Sequence, residues 1–135
     1  MKVTADTNLL VRIVARDDDR QARIAFDFLA AAEQVIIPLP SLCEFVWVLR
    51  RFYGFTSDDL DIAVRAVTNP SNVVTDRTAV DAGLHMLADN GDFADGVIAS
   101  SGMAMGADTF VSFDRAAVRK LNQIGISARD IGVPA

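Results

Sequence analysis

Short apolar segments alternate along the chain with longer stretches in which apolar residues recur at helical spacing. The short segments are rich in β-branched residues, which is typical of strands buried on both faces of a parallel sheet. The longer stretches have the pattern of amphipathic helices. Strands are predicted at residues 3–5, 35–37, 73–74 and 109–113, with a weaker fifth strand near 124–127.

Residues that favour helix ends divide the longer stretches into separate helices. The acidic triplet 17–19 is expected to open a helix, because negative charge is favourable at a helix N-terminus. Ser41 is predicted to be the N-cap of the helix after the second strand, and Gly54 is predicted to end it. Further helices are predicted at 8–15, after Thr56 or Ser57, at about 78–88, from Asp92 onward, and around Val118 and Leu121.

The alternation of strands and helices predicts an α/β fold, because parallel strands need crossover connections. We expect an α/β/α sandwich with a central, mostly parallel sheet of four to five strands. The chain has 135 residues, of which 51% are apolar, and no linker-like segment divides it. This size and composition predict one domain over residues 1–135.

Secreted and membrane classes find little support in the sequence. An acidic residue precedes any apolar run of signal-peptide length, and no apolar span is long enough for a membrane helix. The single cysteine, Cys43, cannot form a disulfide within the chain. We therefore expect a cytoplasmic protein without membrane contact.

Four acidic residues are predicted to lie at one edge of the sheet. Asp6 and Asp114 end the first and fourth strands, while Glu44 and Asp95 belong to the first turns of helices. Ligands of α/β sheets bind beyond the carboxyl ends of the strands, which is this edge. Carboxylates that converge there repel one another unless a cation is present. Oxygen ligands suit Mg²⁺ or Mn²⁺, and one histidine with one cysteine gives little basis for a zinc site.

Each of these carboxylates also has an ordinary structural role open to it. Asp6 could end a strand in a turn, and Asp114 could cap the helix that follows it. Glu44 stands three residues after Ser41, which is the spacing of a capping box. The acids at 92 and 95 could act as a cap or as first-turn charges. Independent caps need not share one sheet edge, whereas a metal site must, so the set as a whole favours a metal site.

Four sequence blocks, taken together and in order, resemble those of PIN-domain ribonucleases. They are DTNLLVR at 6–12, Glu44 followed by WVLRR at 47–51, DFAD at 92–95 and SFDR at 112–115. Within that family the chain is most similar to the VapC-type toxins of bacterial toxin–antitoxin pairs. The resemblance covers essentially the whole chain.

The resemblance implies a Mg²⁺- or Mn²⁺-dependent endoribonuclease, a toxin that is inhibited by a cognate antitoxin and is usually a homodimer. The family's catalytic and metal-binding carboxylates correspond to Asp6, Glu44, Asp95 and Asp114. The residues that would support them, by hydrogen bonding, by holding a metal-bound water or as an outer ligand, are Thr7, Asn8, Asp92 and Ser112. Position 112 often holds threonine in such proteins, and serine keeps the hydroxyl.

The net charge of −5 limits how the chain could contact nucleic acid. A broad basic face is excluded, so we expect phosphate recognition to be local and metal-dependent. Surplus aromatic residues, Trp47 among them, suggest a partner groove, and burial within the monomer is the alternative. The candidate phosphate contacts are Arg12, Arg16, Arg50 and Arg51. The alternative is that these arginines simply lie on solvent-exposed helix faces.

Three other functions fit parts of the pattern. A signalling receiver domain needs a lysine after a late strand, but the chain has only Lys2 and Lys120, and Lys120 falls in a predicted helix. A phosphatase with an aspartate nucleophile needs an acid two residues after Asp6, where Asn8 stands. An inert binding module with the same fold is disfavoured by the four intact acids.

Overall fold

The structure consists of parallel strands separated by helices. It is a computed structural model and describes residues 1–132 and 134. The chain divides into two compact units, Met1–Asp76 and Arg77–Ala135. Each unit has its own helices and its own parallel sheet. None of the described helices has the length and apolar character needed to cross a membrane.

The first unit contains a three-stranded parallel sheet in the order β1-β2-β3. In its register Val3 pairs with Val35, and Val35 pairs with Val73. The elements are β1 (Lys2–Thr4), α1 (Thr7–Ala15), α2 (Asp19–Ala31), β2 (Gln34–Ile36), α3 (Leu39–Tyr53), α4 (Ser57–Thr68) and β3 (Val73–Val74).

Helical spacing of apolar residues explains how the first unit closes its core. On α3 the fully buried residues Leu42, Phe45 and Leu49 lie on one face, and Leu60 with Val64 does the same on α4. The caps follow the chemistry of the sequence. Thr56 and Asp59 form a capping box at the start of α4, and Gly54 ends α3 at a φ of 67°, where glycine has no Cβ penalty.

The second unit pairs two helices closely and adds a two-stranded parallel sheet. Its elements are α5 (Arg77–Ala88), α6 (Phe93–Ala104), β4 (Phe110–Ser112), α7 (Arg115–Gln123) and β5 (Ala128–Asp130). Two glycines allow α5 and α6 to approach. A Cβ at Gly83 would lie 2.5 Å from the ring of Phe93, and one at Gly96 would lie 2.5 Å from the carbonyl oxygen of Ala82.

The predicted α/β class and the parallel strand direction are confirmed. The five strands of the described residues lie in one sheet of three and one of two, where a single central sheet was expected. Two element boundaries were wrong. Helix α3 begins at Leu39, so Ser41 is not its N-cap. Pro38 takes the N-cap position and Pro40 fits the first turn, because proline has the right φ and the missing N–H is unsatisfied there anyway. The fifth strand starts at Ala128, because the turn after α7 extends through Gly125 at a φ of 88°.

A methyl group added at Gly96 should destabilise the protein, since the carbonyl of Ala82 cannot move without disturbing α5. We expect Gly96→Ala to lower the free energy of unfolding by about 1–3 kcal/mol. Gly102→Ala is the matched control, because it lies in the same helix and its Cβ would meet nothing nearer than 3.9 Å. Urea unfolding of both variants checks this, and equal stabilities would contradict the close approach of the two helices.

Candidate active site

Three carboxylates of the second unit stand at two helix N-termini. Asp92 is the N-cap of α6, where its Oδ1 accepts a hydrogen bond from the N–H of Ala94 at 2.9 Å. Asp95 lies in the first turn of the same helix. Asp114 is the N-cap of α7, and its Oδ1 accepts from the N–H of Ala117 at 3.0 Å. The capping role considered for Asp92 and Asp114 is therefore real, and it occupies one oxygen of each.

Asp95 shows that these carboxylates act on one another. Burial, followed by the negative charges of Asp92 and Asp114, raises the pKa of Asp95 to about 6. A carboxylate that is partly removed from water and flanked by two others loses stability in its ionised form. A bound cation would offset this cost, so the local electrostatics favour positive charge at the start of α6.

Ser112 fixes the backbone that carries Asp114. It is the last residue of β4, and its Oγ accepts a hydrogen bond from the N–H of Asp114 at 3.0 Å. The bond holds the turn from β4 into α7. A threonine at this position would offer the same hydroxyl, so serine and threonine can accept the same hydrogen bond here.

In the first unit, Asp6 follows the buried Ala5 directly and is the N-cap of α1. Its carbonyl oxygen accepts from the N–H groups of Leu9 and Leu10 at 3.1 and 3.4 Å. Its carboxylate makes no capping hydrogen bond and is exposed. The carboxylate of Asp6 is thus not engaged in capping α1.

Thr7 and Glu44 belong to two helices that meet beside Asp6. The hydroxyl of the buried Thr7 donates to the carbonyl oxygen of Ser41 at 3.4 Å, which joins the first turns of α1 and α3. Glu44 lies one turn further along α3 and is exposed. A capping box between Ser41 and Glu44 is excluded, because the helix begins two residues before Ser41. The structural alternative to a site role for Glu44 was therefore wrong.

An open groove in the first unit brings together three of the predicted residues, Asp6, Asn8 and Arg12. Gln21 and Phe28 line the same groove from α2. The sequence marks Phe28 as one of the surplus aromatic residues, whereas Gln21 was missed. The helical spacing of Gln21 from Phe28, with Ala25 between them, is the signal that would have found it. A carboxylate, two amides and a guanidinium thus face the same groove.

The four candidate arginines lie on α1 and α3 or at their ends, and two of them have partners within the first unit. Arg12 pairs with Asp17 at 3.2 Å, and Arg50 donates to the Oγ of Ser57 at 3.0 Å. The hydroxyl of Tyr53 donates to Asp17 at 2.8 Å, and this bond, with the charge of Arg12, holds the pKa of Asp17 below its usual range. The other two, Arg16 and Arg51, are exposed.

A preformed metal centre is not present in the described part of the chain. No group of three or more His, Cys, Asp or Glu side chains among residues 1–132 and 134 is arranged to hold an ion. The donor chemistry nevertheless fits a hard cation. The groups at the start of α6 and α7 are carboxylates, and burial followed by the charges of Asp92 and Asp114 raises the pKa of Asp95. The metal centre therefore stays a prediction.

A comparison with protein families narrows the set of functions that the sequence left open. The PIN-domain model matches residues 3–122. The chain belongs to the PIN-domain family. PIN domains are generally nucleases, so the receiver-domain and phosphatase alternatives are set aside. The matched range runs from before Asp6 to beyond Asp114 and includes every candidate site residue. A comparison with curated proteins finds no match.

The raised pKa of Asp95 predicts a stability that depends on pH. The folded state holds this proton more tightly than the unfolded chain, so stability should fall as pH rises from about 4 to 6 and stay low above that. In chelator at pH 7.5, Asp95→Asn should raise the free energy of unfolding by on the order of 1 kcal/mol, a figure reduced for solvent screening.

The control is Asp108→Asn, which removes the same charge from an exposed loop residue of the second unit. The gain from Asp95→Asn should shrink towards pH 4, where the folded wild-type protein already carries the proton. A gain of equal size at both pH values would contradict the electrostatic explanation, as would no gain at pH 7.5.

Proposed function

We propose that this PIN-domain protein is a Mg²⁺- or Mn²⁺-dependent endoribonuclease that hydrolyses RNA phosphodiester bonds with water. The observation that carries the proposal is the PIN-domain match over residues 3–122. Burial, followed by the charges of Asp92 and Asp114, raises the pKa of Asp95. In a family of nucleases, a partly buried carboxylate beside two others supports a divalent-cation site.

The proposed ligands are the carboxylates that the PIN-domain resemblance implies. They are Asp6, Glu44, Asp95 and Asp114, with Asp92 as an outer ligand. When bound, the cation lowers the pKa of water and offsets negative charge on the scissile phosphate. No protein nucleophile is required, which agrees with a site built of acids. The rest of the chemistry falls to hydrogen-bonding and positioning groups.

Those groups have defined places in the structure. Thr7 holds α1 against α3, and Ser112 holds the turn that carries Asp114. Asn8 and Arg12 share a groove with Asp6, where an amide and a guanidinium can bind phosphate oxygens. With a net charge of −5, the protein should contact RNA through such local groups, including Arg16, and binding should weaken as salt rises.

We further propose that the protein is the toxin of a toxin–antitoxin pair, acts in the cytoplasm and forms a homodimer. An antitoxin needs an apolar surface to cover, and the first unit offers one. A cavity of about 150 Å³ opens there between helices and sheet, with Ile13, Leu29 and Val67 in its lining. Ile24 is 57% exposed on the neighbouring helix α2. An unsatisfied apolar surface of this kind supports a protein partner.

Replacing Asp6 tests the nuclease proposal. Asp6→Asn should reduce the rate of RNA cleavage by about 10²-fold or more, because an amide contributes no charge to hold the cation. The fold should persist, since the Asp6 carboxylate makes no capping bond. The assay follows cleavage of a labelled RNA with Mg²⁺ or Mn²⁺, and with chelator, for the wild-type, Asp6→Asn and Asp108→Asn proteins.

Asp108→Asn, which removes the same charge elsewhere, should cleave like the wild-type protein. Undiminished cleavage by a folded Asp6→Asn variant would contradict the role given to Asp6. Cleavage that persists in excess chelator would contradict metal dependence.

The toxin role has its own test in cells. Induced expression of the wild-type chain without an antitoxin should arrest growth of a bacterial host, while Asp6→Asn, expressed to the same level, should not. Growth curves and viable counts measure the effect. Normal growth with active wild-type protein in the lysate would contradict the toxin role and leave the nuclease proposal intact.

A further inference from the structure

Helix α3 carries an exposed aromatic side chain on the same face as the proposed catalytic Glu44. Trp47 is 58% exposed and lies three residues after Glu44, and Arg51 follows four residues later. Residues at this spacing share one helical face. The buried residues of α3 lie on another face, so the core does not need Trp47.

Trp47 is held in place without being covered. Its ring meets that of Phe52 edge to face, with centroids 5.5 Å apart and an interplanar angle of 83°. Phe52 is itself 68% exposed. The two rings therefore form an exposed aromatic pair, and the alternative considered for the surplus aromatic residues, burial within the monomer, is wrong at these positions.

We propose that Trp47 is a stacking platform for an unpaired base of the RNA substrate and that Arg51 contacts the adjoining phosphate. The inference rests on the proposed ribonuclease function and deepens it by naming two residues beside Glu44 that would hold the substrate. Bases stack on aromatic side chains only where they are unpaired, and this contact tolerates many sequences.

The charge pattern favours RNA over a protein as the occupant of this face. Trp47 stands between a carboxylate proposed to bind metal and the guanidinium groups of Arg50 and Arg51. The centre of a protein–protein interface is depleted in charge, whereas aromatic and basic residues side by side are typical of single-strand binding. A base stacked on Trp47 would place the RNA backbone along the face of α3 that runs from Arg51 to Glu44.

The test uses the fluorescence of Trp47, which is the only tryptophan in the chain. The full chain is titrated with a short single-stranded RNA, and separately with the same sequence as a blunt duplex, in chelator so that no cleavage occurs. Stacking should quench the emission on addition of the single strand and leave it nearly unchanged with the duplex. Equal quenching by both forms, or none while RNA binds, would overturn the proposal.

Variants separate stacking from general binding. By fluorescence anisotropy of a labelled single strand, Trp47→Ala should weaken binding about tenfold or more, and Trp47→Phe should retain most of the affinity. Arg51→Gln should weaken binding and reduce its salt dependence. Ile62→Ala, which truncates a 68% exposed apolar side chain on α4, should bind like the wild-type protein.

Two results would point to a protein occupant and overturn the inference. One is that Trp47→Ala dissociates an oligomer, seen by light scattering, while RNA affinity per protomer is unchanged. The other is a blue-shifted, quencher-shielded emission of the free protein, which would mean that a second copy already covers Trp47. Failure of the nuclease proposal is distinguishable, because it would show as intact quenching without cleavage in Mg²⁺ or Mn²⁺.

Discussion

The partial burial of Asp95 beside two other carboxylates, at two helix N-termini, is the constraint on which the candidate site depends. Capping bonds to Ala94 and Ala117 hold Asp92 and Asp114 in place, so neither carboxylate turns away freely. Burial, followed by repulsion from Asp92 and Asp114, raises the pKa of Asp95 to about 6. The positive ends of the helix dipoles offset part of this repulsion. A bound divalent cation would offset more of this repulsion. The local arrangement is therefore unfavourable without a cation and suited to a metal-dependent nuclease.

The position of these carboxylates depends in turn on close helix packing. Gly83 and Gly96 let α5 and α6 approach to distances that a Cβ at either position would forbid, and this sets how closely α6 lies against α5. In the first unit the corresponding link is the bond from Thr7 to Ser41, which joins the start of α1 to the start of α3. Glycines thus help to position the acids of the second unit, and the hydroxyl of Thr7 helps to position those of the first.

Local patterns in the sequence predicted most of the elements, and the errors arose where neighbouring signals competed. Thr56, Gly54 and the acidic triplet marked helix ends correctly, because each acts through bonds within one turn. Ser41 was misread as a cap, since Pro38 and Pro40 begin the helix earlier. The pKa of Asp95 was beyond reach, because it depends on burial and on Asp114, which no spacing rule connects to it. The exposure of Trp47 likewise depends on how α3 packs.

A crystal structure grown with Mn²⁺, with anomalous scattering to locate the ion, tests the central claim most directly. The account predicts a manganese peak bound by the carboxylates of Asp95 and Asp114, and loss of that peak in Asp95→Asn. Manganese bound only at unrelated acids, or no peak at a concentration that supports RNA cleavage, would contradict it.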